Sequence, residues 1–186
     1  KDGKLRMIGS NDQGQLGTGA SNDNTPQELD WDDIEGDIKQ VKVTETETQI
    51  ITNQNAIWAY GDNLYAQLGR GTRDTKAENY EAKKIEVEGW TEVYAITEHV
   101  YAFKSDGTLW AWGSNGVGQL GIGNLTQKTL PNQVGNESNW KEVHAGQGHS
   151  IGIKEDSTIW AWGFNTYGQL GIGNTINQSS PVQIGN

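Results

Sequence analysis

The feature that most constrains this chain is a glycine- and tryptophan-rich segment that returns four times along its length. Residues 110–123 and 160–173 are nearly identical, and weaker copies run over residues 58–71 and 6–19. The first shared glycine recurs after 52, 52 and 50 residues, at Gly9, Gly61, Gly113 and Gly163. A period of this length indicates one small structural unit, repeated and stacked. We therefore expect the shared residues to hold the repeats together, and a binding site to lie among the residues that differ.

Each repeat is predicted to contain four β-strands. In the unit over residues 90–135, segments rich in aromatic and β-branched residues are separated by turn-forming residues, a pattern typical of strands. These segments are residues 90–95, 99–104, 108–113 and 130–135. No segment of about ten residues or more has a helical apolar period. The sequence therefore predicts an all-β fold.

The third strand of the unit is apolar at successive positions, as in Leu109, Trp110, Ala111 and Trp112. A strand with one face in water would alternate apolar and polar residues, so both faces of this strand are expected to be covered. Four-stranded antiparallel sheets of this kind, repeated every 50 residues or so, are typical of propeller blades. The small alanine is expected to let neighbouring blades approach closely.

The repeat boundaries predict a single, partial β-propeller of about four blades. The repeats cover approximately residues 1–37, 38–89, 90–139 and 140–186. The chain begins at the third strand of one unit and ends at the fourth strand of another, which predicts 14 strands, two in the first copy and four in each later copy.

The glycine loop over residues 118–123 is expected to close the joint between blades. Its glycines supply positive φ angles or close backbone approach. Leu120 is expected to fill the gap between blades, and the Gln119 amide to bond backbone groups that the turn leaves unpaired. The residues assigned to this structural motif are Gly14, Gln15, Leu16, Gly17, Gln67, Leu68, Gly69, Trp110, Trp112, Gly118, Gln119, Leu120, Gly121, His149, Trp160, Trp162, Gly168, Gln169, Leu170 and Gly171.

The repeat resembles that of the regulator of chromosome condensation family. Residues 105–121, Pro131 and residues 143–149 carry a pattern similar to the family's Asp-Gly-x-Val-Trp-x-Trp-Gly-x-Asn-x-x-Gly-Gln-Leu-Gly, proline strand and Val-x-Ala-Gly-x-x-His. The resemblance implies a seven-bladed propeller that is not itself an enzyme and works through protein contacts. Because four copies are too few for seven blades, we expect self-association or further repeats to complete the ring. The acidic, asparagine-rich sequence looks like a bacterial member.

The composition excludes several classes of partner and site. A net charge of −10 argues against binding nucleic acid or anionic membranes. The absence of cysteine excludes disulfides, thiolate metal sites and cysteine nucleophiles. No apolar run reaches about 18 residues, so we expect no membrane insertion. No motif predicts a cofactor, a metal or a catalytic residue, and an extracellular or cell-surface location in a bacterium is favoured.

Two groups of titratable residues could form either a metal or catalytic site or part of the structure. His99 and His149 share a repeat position that holds Glu47 in the second copy, so a buried, hydrogen-bonded histidine is favoured over a metal or catalytic role. The acidic run over residues 30–37 fails the spacing of a calcium-binding EF-hand, and is interpreted as a solvated loop.

The segments that vary between copies are the predicted partner-binding surface. These residues are Trp31, Asp32, Asp33, Glu45, Glu47, Arg70, Arg73 and Asp74, joined by Lys76 in the charged loop of the second copy. The favoured function is a non-enzymatic scaffold that presents these loops to a protein partner. One alternative is a carbohydrate-binding module that stacks sugar rings on Trp31, Tyr65 and Tyr167. Another is a structural segment of a larger surface adhesin.

Overall fold

The structure is a computed structural model that describes residues 5–18, 23–29, 34–74 and 77–185. Within these ranges the chain forms 14 β-strands and one short 3-10 helix, Ala77–Tyr80. The strands pair antiparallel, each with its neighbours in chain order, and form one two-stranded and three four-stranded sheets. The predicted all-β class and the division into two plus three times four strands are both confirmed. No helix in the described ranges is long and apolar enough to cross a membrane.

Each sheet is one blade of a partial propeller. The first blade comprises β1 (Arg6–Gly9) and β2 (Asp23–Glu28). The second comprises β3 (Ile38–Val43), β4 (Glu47–Thr52), β5 (Ile57–Gly61) and β6 (Lys83–Lys84). The third comprises β7 (Trp90–Ile96), β8 (His99–Lys104), β9 (Leu109–Gly113) and β10 (Lys128–Gln133). The fourth comprises β11 (Trp140–Ala145), β12 (His149–Lys154), β13 (Ile159–Gly163) and β14 (Gln178–Ile184).

The blades stand side by side, with their first strands nearest to one another. Strand β7 of the third blade lies against β3 and β4 of the second blade and against β11 of the fourth. The first strands therefore form the inner edge of the propeller, and the fourth strands its outer edge.

The hydrophobic core is divided into three parts, one in each joint between blades. All five residues of β5 are buried, which confirms that this third strand is covered on both faces. Ala59, Ala111 and Ala161 are fully buried in their blades. A Cβ atom at Gly152 would lie 2.5 Å from the Trp140 ring, so the absence of a side chain at this position leaves room for the indole against β12. Each large side chain buried in this way contributes about 1.5–3 kcal/mol to folding.

In the third and fourth blades, a lysine at the end of the second strand lies between two indoles. The Nζ atom of Lys154 lies 3.8 Å from the Trp160 ring centroid and 4.9 Å from that of Trp140, and it donates a hydrogen bond of 3.2 Å to Glu137 Oε1. In the third blade, Lys104 Nζ lies 4.5 Å from the Trp110 ring centroid. These cation–π contacts explain why strand 2 can end on a lysine, a role that the sequence analysis did not assign.

Candidate interaction surface

The glycine loop of each blade is organised by one glutamine and one asparagine. The Oε1 atom of Gln119 accepts a hydrogen bond of 3.1 Å from the backbone N–H of Val117, and the same bond recurs in the other three copies. The predicted role of the glutamine amide is therefore confirmed. The Oδ1 atom of Asn115 accepts a bond of 3.0 Å from the N–H of Leu120, also repeated in every copy. Recurrence of this asparagine in all four copies was the signal for its role, and the sequence analysis missed it.

The same loop forms the joint with the next blade. The indole nitrogen of Trp162 donates a hydrogen bond of 2.9 Å to the backbone carbonyl of Gln119. A Cβ atom at Gly121, where φ is +69°, would lie 2.8 Å from that indole nitrogen, so only glycine fits. Leu120 is fully buried beside it, as predicted. The repeated residues within this joint therefore hold the two blades together and are not available for a partner.

The joint between the first and second blades uses a different donor. Tyr60 stands where the later blades have the inner tryptophan. In this joint the hydroxyl of Thr48 donates a bond of 2.8 Å to the carbonyl of Gln15. The backbone carbonyl of the loop glutamine thus accepts a hydrogen bond from a side chain in each of the three joints, although the donor residue differs between joints.

The charged loop of the second blade is partly folded onto the protein. Asn79 is buried, accepts a hydrogen bond from the Arg70 guanidinium, and donates one of 2.6 Å to the Asp74 carboxylate. Arg70 and Asp74 are half-buried as a result, whereas Arg73 is exposed and donates from Nε to the Leu64 carbonyl at 2.7 Å. Of the predicted charged residues of this loop that the structure describes, Arg73 is thus the one presented to solvent. Its neighbour in the prediction, Lys76, lies outside the described residues.

The two predicted acidic residues before strand β4 have different environments. Glu45 is exposed. Glu47 is fully buried, so its carboxylate does not face a partner, and its assignment to the binding surface is corrected. Burial raises the pKa of Glu47 to about 7, although a hydrogen bond of 2.8 Å from the Thr46 hydroxyl lowers it in part. Trp31, Asp32 and Asp33, predicted for the same surface, lie outside the described residues.

The histidines at the equivalent repeat position are also unlike each other. His99 is fully buried, and neither ring nitrogen has a hydrogen-bond partner in the described part of the chain, so the prediction of a hydrogen-bonded histidine is wrong there. Its ring meets Tyr101 edge-on, with 5.5 Å between centroids. Burial lowers the pKa of His99 to about 4, which keeps the ring neutral. His149, in the fourth blade, is half-buried.

The outward face of the fourth blade is not covered by another blade in the described ranges. Leu109 of the third blade is fully buried by the fourth, whereas its equivalent Ile159 is 43% exposed. Gly121 is buried, whereas its equivalent Gly171 is exposed. Tyr167, in the loop of the same blade, is 85% exposed and meets Phe164 edge-on. Among the described residues, the exposed large apolar side chains of this blade are Ile159, Tyr167 and Ile176, while others lie on each of the earlier blades.

A cleft of about 810 Å³ lies between the first and second blades. Its lining mixes acidic and basic side chains, and Lys84 is already paired with Glu35 at 3.1 Å and Glu88 at 2.7 Å. The cleft therefore favours neither an anionic nor a cationic ligand. Over the residues that the structure describes, no three histidine or carboxylate side chains are grouped closely enough to hold a metal ion.

Comparison with known protein families gives a match in the second half of the chain. The family model for the regulator of chromosome condensation (RCC1) repeat matches residues 106–153 and 156–186. A second model of that description matches residues 140–169.

Similar proteins include the X-linked retinitis pigmentosa GTPase regulator homolog of Caenorhabditis elegans, 37% identical over 95 residues, or 51% of this chain and 7% of that protein. The human X-linked retinitis pigmentosa GTPase regulator is 30% identical over 142 residues, or 70% of this chain and 13% of that protein. Among solved structures, yeast RCC1 (Prp20) bound to Kap60 superposes with a TM-score of 0.84 and 17% identity over all of this chain and 46% of that one. The chain therefore spans a small part of these two relatives and about half of the yeast propeller.

Proposed function

This chain carries repeats of the regulator of chromosome condensation family, and from that premise we propose that it is a non-enzymatic scaffold that presents variable blade loops to a protein partner. The proposal is supported by a difference in exposure between the shared and the variable residues of the repeat. A residue shared by all copies, such as Leu120, is buried in a joint, whereas Arg73 and Glu45 are exposed on loops that differ between copies. A rigid core with freely varying loops suits a binding scaffold, because the core fixes the position of loops whose sequence can change.

The yeast propeller supports the class of function. That protein was solved in complex with Kap60, so a propeller of this fold binds a protein. For this chain, the loops differ from one copy to the next, and the partner is proposed to be recognised by the charged loop of the second blade. An extracellular or cell-surface location remains a prediction.

The test is affinity capture of partners from the source organism, followed by titration with the purified partner. Arg73→Glu reverses the charge of the exposed loop residue, and Leu125→Glu introduces a charge at the equivalent, exposed position of the third blade as a matched control. We expect Arg73→Glu to weaken binding about ten-fold or more while Leu125→Glu leaves it unchanged. Equal affinity for both variants and the unmodified chain would refute recognition through this loop.

Carbohydrate binding is a second candidate because of one observation. The Tyr167 ring is 85% exposed and is held against Phe164, with 5.9 Å between centroids, so a flat aromatic face is presented to solvent. A glycan array separates the two candidates. If this alternative is right, Tyr167→Ala abolishes binding to a glycan that the unmodified chain binds. Tyr65→Ala, at the equivalent but half-buried position, does not.

A further inference from the structure

The outer tryptophan of the third strand has different neighbours in the second blade. In the fourth blade, the Trp160 ring centroid lies 6.5 Å from that of Trp140, and a lysine lies over both rings. In the second blade, Ile38 holds the position of Trp140, and Thr52 holds that of the lysine. These two positions therefore supply neither an indole nor an ammonium group beside Trp58.

The indole nitrogen of Trp58 also lacks the acceptor that its equivalents use. In the third and fourth blades, this nitrogen donates a hydrogen bond of 2.8 Å to the hydroxyl of Thr108 or Thr158. Ala56 holds that position in the second blade, and its side chain has no acceptor. Trp58 is 7% exposed, and its Nε1 atom has no hydrogen-bond partner among the described residues. Because a buried N–H without an acceptor is costly, a bound molecule that offers an oxygen would be stabilised there.

Trp58 lines the cleft between the first and second blades. The apolar floor of this cleft consists of Ile34 and Trp58, which belong to one buried cluster, and Ala82, which packs against it. The cleft volume of about 810 Å³ is within the range of sites for small ligands, about 300–1,000 Å³. The cleft is therefore large enough for a ligand of one or two rings.

The cleft also has a charged rim, formed by Glu81, Lys83 and Glu86, which are exposed. Over the described ranges, these three side chains form no ion pair, whereas Lys84 is held by two glutamates. The carboxylates accept hydrogen bonds and the ammonium group donates them. An ionic ligand would meet a like charge on this rim, whereas a neutral ligand with hydroxyl groups can bond to both kinds of group.

We propose that this cleft binds a neutral saccharide. A sugar ring has an apolar C–H face, which packs on the apolar floor, and hydroxyl groups at its edge, which bond to the charged rim. One sugar oxygen accepts the hydrogen bond from Trp58 Nε1. The site is separate from the exposed loop at Arg73 and from the aromatic pair at Tyr167, and it adds recognition of a small molecule to the proposed scaffold.

The test is an NMR titration of the full chain with neutral sugars. The probes are glucose, galactose, mannose, N-acetylglucosamine and their disaccharides. The indole N–H signal of Trp58, assigned with the Trp58→Phe variant, reports contact at the apolar floor. We expect at least one of these sugars to shift this signal to saturation. No shift with any of them up to about 50 mM, where a site of millimolar affinity is filled, would overturn the proposal.

Two variants test the contacts. Glu86→Ala removes a carboxylate of the charged rim at an exposed position and is expected to weaken binding about ten-fold. Ala56→Thr returns the internal acceptor that Thr108 supplies in the third blade and is expected to weaken binding by a similar factor. Glu155→Ala, which removes an exposed glutamate of the fourth blade, is the matched control and leaves the affinity unchanged. If neither Glu86→Ala nor Ala56→Thr weakens binding, the proposal is wrong.

Two further results would contradict the proposal. Loss of sugar binding in Tyr167→Ala, with the Trp58 signal unmoved in the unmodified chain, assigns the sugar to the loop of the fourth blade. A shift of the Trp58 signal by spermidine or inorganic phosphate, and by no sugar, assigns the cleft to an ion. Arg73→Glu tests partner binding and this titration tests sugar binding, so each of the two proposals can fail without the other.

Discussion

The indole nitrogen of Trp112 donates a hydrogen bond of 2.8 Å to the backbone carbonyl of Gln67, which belongs to the preceding blade. One side chain thus fills the core of its own joint and also bonds the neighbouring loop. The carbonyl is buried, so its bond is stronger than an exposed one and costly to lose. The same bond joins Trp162 to Gln119 in the next joint, although the two residues are 43 apart in sequence there and 45 apart here.

Replacing Trp112 by phenylalanine is expected to destabilise the fold by about 2–3 kcal/mol, because both the N–H donor and part of the packed ring are removed. The matched control is Trp110→Phe. Trp110 is half-buried and its indole nitrogen bonds Thr108 Oγ1 in the same blade at 2.8 Å, so we expect a loss below about 1 kcal/mol. Urea denaturation of the two variants measures the difference. Equal losses of unfolding free energy in the two variants would show that the hydrogen bond from Trp112 to Gln67 adds no measurable stability.

Truncating equivalent residues on the third and fourth blades tests whether the outward face of the fourth blade is exposed in solution. Leu109 is fully buried, so Leu109→Ala is expected to cost about 2–5 kcal/mol. Ile159 is 43% exposed, so Ile159→Ala is expected to cost about 1 kcal/mol or less. Unfolding is measured at several protein concentrations. An Ile159→Ala loss as large as that of Leu109→Ala, growing with protein concentration, would mean that the face is covered by association.

The internal repeat allowed the blades, their strands and the joint residues to be predicted, because four copies show which positions stay constant. The predicted binding residues were less accurate for a physical reason. Arg70 and Asp74 are turned inward by Asn79, a contact across an irregular loop that no periodicity reveals. The burial of Glu47 could have been foreseen, since it aligns with His99, but its segment differs between copies and was therefore assigned to the partner-binding surface. The burial and hydrogen bonding of such a side chain depend on tertiary contacts, which residue type alone does not predict.

Glu47 is expected to make the protein less stable as the pH rises. Burial raises its pKa from 4.5 to about 7, so the folded state holds a proton that the unfolded state releases. The contribution of Glu47 to the free energy of unfolding is complete below pH 4.5 and is lost as the pH rises through about 7. The loss amounts to about 3 kcal/mol. Glu47→Gln is therefore expected to be stabilising at pH 8 and neutral at pH 4.

Urea denaturation at intervals between pH 4 and pH 8 measures this effect. Glu45→Gln, at the exposed position two residues earlier, is the matched control and is expected to change stability by less than about 0.5 kcal/mol at each pH. If the unmodified chain and Glu47→Gln share one pH profile, the carboxyl of Glu47 is not buried in solution.

His99 is expected to act in the opposite direction. Burial lowers its pKa from 6.5 to about 4, so stability from this group is complete above pH 6.5 and is lost as the pH falls through about 4, again about 3 kcal/mol. His99→Leu removes this loss without breaking a hydrogen bond, because both ring nitrogens lack partners within the described ranges. Between pH 4 and pH 7 the two groups change the free energy of unfolding in opposite directions. Removing one of them therefore leaves the pH dependence of the other to be measured. We expect Glu47→Gln to lose stability on acidification, His99→Leu to gain it, and the double variant to be nearly flat. An acid loss that survives in His99→Leu would assign it to another group.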